Sequence, residues 1–186
     1  MARIAQLKPE ELSEHQMRLA KEIGGTRGGD LAVNGPWGLL LRNPVLCEKA
    51  AAVGTMLRDG TSVPKRLSEL AIAIVARHWT AQFEWWAHAP QGLKAGLSKE
   101  LIEAIRLKKT PSFDKPDEAA VYAYVKELLE KKKVSDATYQ ALHKVVGTNG
   151  AIEITAIAGF YALVAMLIVG LDVPLREGVT EPPLPE

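Results

Sequence analysis

Apolar residues recur every three to four positions along most of the chain, and no stretch alternates apolar and polar residues between hairpin turns. That period predicts an all-α protein. Its punctuation divides the chain into helices: Pro44 opens one through about Leu57, Asp59-Gly60 closes it, and Pro64 precedes a second from Lys65 to about His78. In the second helix Leu67, Leu70, Ala71, Ile74 and Val75 form one stripe, with Arg66, Glu69 and Arg77 off it. Thr80 is a candidate N-cap for a segment from Ala81 to Ala89, which Pro90 bends or ends. Gly96-Leu97-Ser98 is a stop and a new N-cap, giving a short helix from Lys99 to about Lys108. A loop at Thr110 to Lys115 leads to a helix from Pro116 to about Lys133. Ser135 caps another to Val146, and Gly147-Thr148-Asn149-Gly150 reads as a turn.

Ile154 to Leu171 is a run of uncharged residues that touches the length of a membrane-spanning helix, roughly 18 to 20 residues. Its flanks, Glu153 and Asp172, are acidic, and no second such run exists. We therefore read it as a helix buried in a bundle or between subunits, with Ala156, Ala158, Gly159, Ala162 and Ala165 permitting close packing, and expect a homo-oligomer and no membrane partner. The glycine-dense stretch from Gly24 to Gly38 lacks the spacing of a phosphate-binding loop and reads as a structural or lid-like segment. The tail from Pro174 should be extended and mobile. The opening MARIAQLKPEEL has no apolar core of a secretory signal, so a cytoplasmic location is expected.

Composition narrows the chemistry. The 186 residues suit a single domain, and 47% apolar with 24% charged residues is ordinary for a globular protein. A net charge of +1 provides no global field toward nucleic acid or anionic lipid, so a nucleic-acid partner is not expected. Cys47 is the only cysteine, which excludes an internal disulfide, a CxxC redox pair and a cysteine-based zinc site; it reads as a small core residue.

The unusual segment is RHWTAQFEWWAHAP, Arg77 to Pro90, where Trp79, Phe83, Trp85 and Trp86 fall within eight positions beside His78 and His88. Such density is costly on an open surface and expected around a pocket or interface. Glu84 and His88 are four apart and share a helix face. A carboxylate beside an imidazole orients the ring and favours its protonated form, as a general acid or base requires. The same spacing also fits a surface pair or a structural hydrogen bond. As a metal site it is short of ligands, and no metal is expected. Glu69, in the apolar stretch LSELAIAIVAR, is either poised or an ordinary face residue between Arg66 and Arg77. His15 and His143 carry no constellation, and Glu153 suits the first turn of a helix.

The run ELAIAIVARHWTAQFEWWAHAPQGLKAGLSKELIEAI resembles the signature of the carboxymuconolactone decarboxylase family, which includes the AhpD-like alkylhydroperoxidases. The likeness centres on residues 64–108 and extends over about 34–172, within one domain spanning 1–186 that carries an N-terminal extension and a proline-rich C-terminal tail. It implies an AhpD-like helical bundle assembled as a trimer or hexamer. The peroxidase branch resembles Glu, a Cys twelve residues on, a second Cys three later and a His four beyond. Here those positions hold Glu69, Ala81, Glu84 and His88, so both cysteines are missing. Thiol-based peroxide reduction, which needs a thiolate and a resolving partner, is therefore disfavoured. The decarboxylase branch resembles E-x14-E-x3-H, which Glu69, Glu84 and His88 satisfy.

The resemblance implies a cofactor-free lyase acting on a carboxylated lactone or related small acid in aromatic-compound catabolism. In it His88, oriented by Glu84, exchanges the proton, with Glu69 as a second carboxylate. Arg66, Arg77, His78, Trp79 and Trp85 would bind substrate, the cations taking a carboxylate and the indoles excluding water. Other lyase, isomerase or hydrolase chemistry, and a non-catalytic oligomer that binds a small apolar molecule, are the alternatives.

Overall fold

A computed structural model describes residues 3–26, 29, 32–175, 178–179 and 183–185. Among these there are eight α-helices and no strands: α1 (Glu14–Gly25), α2 (Gly35–Leu40), α3 (Pro44–Asp59), α4 (Lys65–Trp79), α5 (Gln82–Lys94), α6 (Lys99–Arg106), α7 (Pro116–Lys131) and α8 (Asp136–Gly170). The prolines, Ser98 and Ser135 start α3, α6, α7 and α8 as expected. Asn43, Ser98 and Ser135 each accept a backbone N–H of the first turn.

The central element is α4. Every residue from Leu67 to Arg77 is buried, because α5, α6, α7 and α8 surround it. The sequence pattern instead places Glu69 and Arg77 off an apolar stripe. Helix α8 sends Ile154, Ile157, Tyr161, Val164 and Ile168 into this core, but its opposite face leaves Ile152, Leu163, Met166 and Val169 exposed. Among the described residues, α8 is the one helix long and apolar enough to cross a membrane by length and composition. The expected four-residue turn at Gly147 to Gly150 falls inside α8 and is reduced to one residue. Gly147, at φ 68° and ψ −175°, lies in a region open to glycine alone and kinks a helix that continues on both sides.

Two other boundaries differ. Thr80 does not cap α5; it ends α4 in the left-handed conformation, φ 51° and ψ 39°, and its hydroxyl accepts from Arg77 Nη1 at 2.8 Å. Pro90 does not end α5, which runs four residues further. Helix α1 lies outside the elements predicted above. Its signal is a capping box, in which Gln16 N donates to Ser13 Oγ and Ser13 N donates to Gln16 Oε1. It buries Leu19, Ala20 and Ile23 in a second small cluster with Leu40, Leu41 and Cys47.

Described residues near both ends of the chain are anchored to the bundle. Arg3 donates from its backbone N–H to Leu171 O and from Nη1 to Gly170 O, satisfying carbonyls at the end of α8. In the tail, expected to be mobile, Leu184 is buried and held by a two-way hydrogen bond with the Gln82 amide.

Candidate active site

The packing of α4 against α5 brings their polar positions together inside the bundle. Lys65 and Glu69 lie one turn apart on α4, Glu84 and His88 one turn apart on α5. His88 Nδ1 is 2.9 Å from Glu69 Oε2, and Lys65 Nζ is 3.0 Å from Glu69 Oε1. Glu69 is only 1% exposed. Burial alone would raise its pKa, but the hydrogen bond and charge of His88, followed by those of Lys65, outweigh burial and hold the carboxyl below its ordinary value. Glu69 is thus a carboxylate. It only accepts, so His88 Nδ1 is the donor and Nε2 is the ring nitrogen left for proton exchange. The Tyr161 ring meets the imidazole edge-on, with centroids 4.9 Å apart, and packs it in place.

Glu84 behaves differently. It is 2% exposed, and neither carboxyl oxygen has a hydrogen-bond partner among the described residues. Desolvation raises its pKa well above the ordinary value and so favours the neutral, protonated acid. The pKa values of two carboxyls on adjacent helices are therefore driven in opposite directions, down for the paired one and up for the unpaired one.

Glu69, Glu84 and His88 all line one cavity of about 700 Å³. Its aromatic walls are Trp37 of α2, Phe83 and Trp86 of α5, and Phe160 and Tyr161 of α8; Lys65 and Arg58 contribute cationic groups. The described part of the glycine-dense stretch, including Gly24, Gly29 and Asn34, lies along the same cavity. Its residues at 27, 28, 30 and 31, and with them part of the expected lid, lie outside the described residues.

The structure brings together three of the residues singled out in the sequence but rewires them. The partner of His88 is Glu69, from the neighbouring helix, and not Glu84, whose carboxyl is buried without a partner. Arg66 is not in the cavity; it binds Asp117, with Nη2 to Oδ2 at 2.7 Å, and Glu118, clamping α4 to α7. Arg77 and His78 line a separate cavity. Trp79 packs partly buried against the core, and Trp85 is buried within it. The period of α5 explains the tryptophans. Phe83, Trp86, Ala87 and Pro90 face the cavity, while Trp85, Ala89 and Gly92 are buried on the other side.

Sequence reasoning missed Lys65, Arg58 and the α8 aromatics. Lys65 had a local signal, its i,i+4 spacing to Glu69, identical to that of Glu84 and His88. Phe160 and Tyr161 had none, because they reach the site from a distant part of the chain. Among the described residues no group of three or more His, Cys, Asp or Glu is placed to hold a metal ion.

The all-helical bundle is an architecture seen in solved structures, and the fold is AhpD-like. Those structures include the debrominase Bmp8 without ligand, with 13% identity and a TM-score of 0.74 over 92% of this chain and 91% of that one. A cysteine-to-alanine variant of Bmp8 in complex with 2,3,4-tribromopyrrole aligns at 13% identity and a TM-score of 0.75, covering 94% and 91% of the two chains. A protein of unknown function from Agrobacterium tumefaciens, ATU0492, provisionally assigned as the antioxidant defence protein AhpD, gives 15% identity and a TM-score of 0.66 over 74% and 95%. No protein-family profile matches the sequence, and no curated protein sequence matches it.

Proposed function

We propose that the protein is a cofactor-independent acid–base enzyme, a carboxy-lyase acting on a carboxylated lactone or a related small unsaturated acid. The observation that carries this reading is the Glu69–His88 pair, 2.9 Å apart, with the unpartnered carboxyl of Glu84 lining the same aromatic-walled cavity. The two carboxyl pKa values are driven apart, down for Glu69 and up for Glu84, an arrangement that supplies an acid and a base at the same pH.

The substrate carboxylate sits against Lys65, with Arg58 as a second cation, in the role first assigned to Arg66 and Arg77. The bond from the substrate carbon to its carboxylate breaks, carbon dioxide leaves, and the electron pair passes into the conjugated lactone as a dienolate. Glu84 donates a hydrogen bond to the enolate oxygen, where charge develops. Protonated His88 delivers the proton from Nε2 to carbon and regains one from solvent; the Glu69 carboxylate keeps the ring oriented and stabilises the imidazolium. The aromatic walls exclude water, which strengthens these interactions and protects the lactone from hydrolysis. That Bmp8 has been solved with a brominated pyrrole supports an aromatic-walled site of this fold taking a small flat ring.

The test is turnover of a panel of carboxylated lactones and related acids, with product identification. On the substrate so found, His88→Gln should lower kcat by about 10²- to 10⁴-fold, the range for loss of a general acid or base. Unchanged turnover in that variant overturns the reading. Hydroperoxide consumption that disappears in Cys47→Ala would instead indicate thiol chemistry.

A further inference from the structure

The second cavity, about 340 Å³, lies toward the C-terminal end of α4, where Ile74, Arg77 and His78 line it, and shares no lining residue with the first. Arg77, His78, Lys108, Lys109 and Lys126 line it together with a single acid, Glu130. Glu130 is already engaged, 3.6 Å from Lys126 Nζ. Apolar wall is supplied by Ile74, Ile105, Leu129 and Tyr122.

Arg77 makes this more than a basic surface. It is 4% exposed, its Nε is buried without a partner, and its Nη1 donates to the neutral Thr80 hydroxyl. No carboxylate meets it among the described residues. A buried guanidinium ordinarily pairs with an anion, because desolvation is otherwise uncompensated. Burial and then the nearby charge of Arg106 both lower its pKa, as expected of a cation lacking a counter-charge. Lys108 and Lys109 alone would be explained by their position after the C-terminus of α6. A last-turn position does not account for a buried, unmatched Arg77.

We infer that the Arg77 cavity is a second ligand site, for the carboxylate or phosphate of a small organic anion whose apolar part packs against Ile105 and Tyr122. The Arg77 guanidinium is the fixed cation, and Lys108 and Lys109 provide the mobile charges around it. The site stands independently of the lyase reading.

The experiment is calorimetric titration of the full chain at constant ionic strength with inorganic phosphate, phenyl phosphate, acetate and benzoate. Saturable binding is expected, tighter for each aryl anion than for its small counterpart; comparing the two pairs distinguishes phosphate from carboxylate. Arg77→Met should weaken it at least about 10-fold, the scale of a charge-assisted hydrogen bond. Because Arg77 is buried, the surface pair Lys108→Gln with Lys109→Gln provides a folding-neutral test and should weaken binding about 3-fold or more. His88→Gln should leave it intact. No saturable binding, binding unchanged in both variants, or binding lost in His88→Gln overturns the inference.

Discussion

A glutamic acid that is buried without a partner is an expensive residue, and Glu84 gives its cost a pH dependence. Below the ordinary carboxyl pKa of 4.5 the side chain is protonated in folded and unfolded chains alike, so its titration contributes nothing to stability. Above that value the unfolded chain releases the proton while the folded one keeps it, and stability falls with rising pH until the raised folded pKa is passed. The slope approaches about 1.36 kcal/mol per pH unit. Glu69 acts in the opposite sense: its depressed pKa contributes stability above 4.5 that is lost as pH falls through the lower folded value. Glu84→Gln removes only the first effect. We therefore expect the variant to gain stability relative to the parent as pH rises above 4.5, measured by urea denaturation of both proteins. A difference independent of pH would mean that Glu84 is ionised in the folded state. The carboxyl was recognisable in the sequence, but its protonation was not, since it depends on what α4 and α8 leave unoffered to it.

At the level of elements, the start of α2 controls the cavity wall. Gly35 has φ +67°, and a Cβ there would lie 2.3 to 2.9 Å from atoms of the Phe83 ring. Gly35→Ala should therefore cost about 1–3 kcal/mol, through the strained backbone and the displaced ring together. Denaturant midpoints would show the cost, and a change in KM for the identified substrate would show that Phe83 had moved. The helix boundaries that local chemistry determines were legible: Pro44, Ser98, Pro116 and Ser135 all start helices. Those set by packing were not. Pro90 is accommodated inside α5, and Thr80 is turned into a left-handed C-cap by the tight α4 to α5 connection.

At the scale of the whole molecule, apolar surface is left open on two contacting helices. Val53 and Met56 of α3, and Leu163 and Met166 of α8, are exposed in the single chain. Exposed apolar residues concentrated in this way mark an interface more often than bare surface. We propose that a second copy covers them. Light scattering should then report an oligomer, and Val53→Glu with Met166→Glu should lower its mass without unfolding the chain; a parent protein that is monomeric at micromolar concentration would contradict this.

By itself the sequence determined the all-helical architecture and most helix starts, which follow from period and caps acting over a few residues. The spacing of Glu84 and His88 put them on one helix face, and the family resemblance added Glu69 to the candidate site. The tertiary structure alone decided that α4 and not α8 is the enclosed helix, that His88 pairs with Glu69, and that Arg66, Arg77, His78, Trp79 and Trp85 lie away from the cavity. Such outcomes depend on which helix faces which. A local pattern specifies a face but not its neighbour, and it is the neighbour that sets burial, partner and charge.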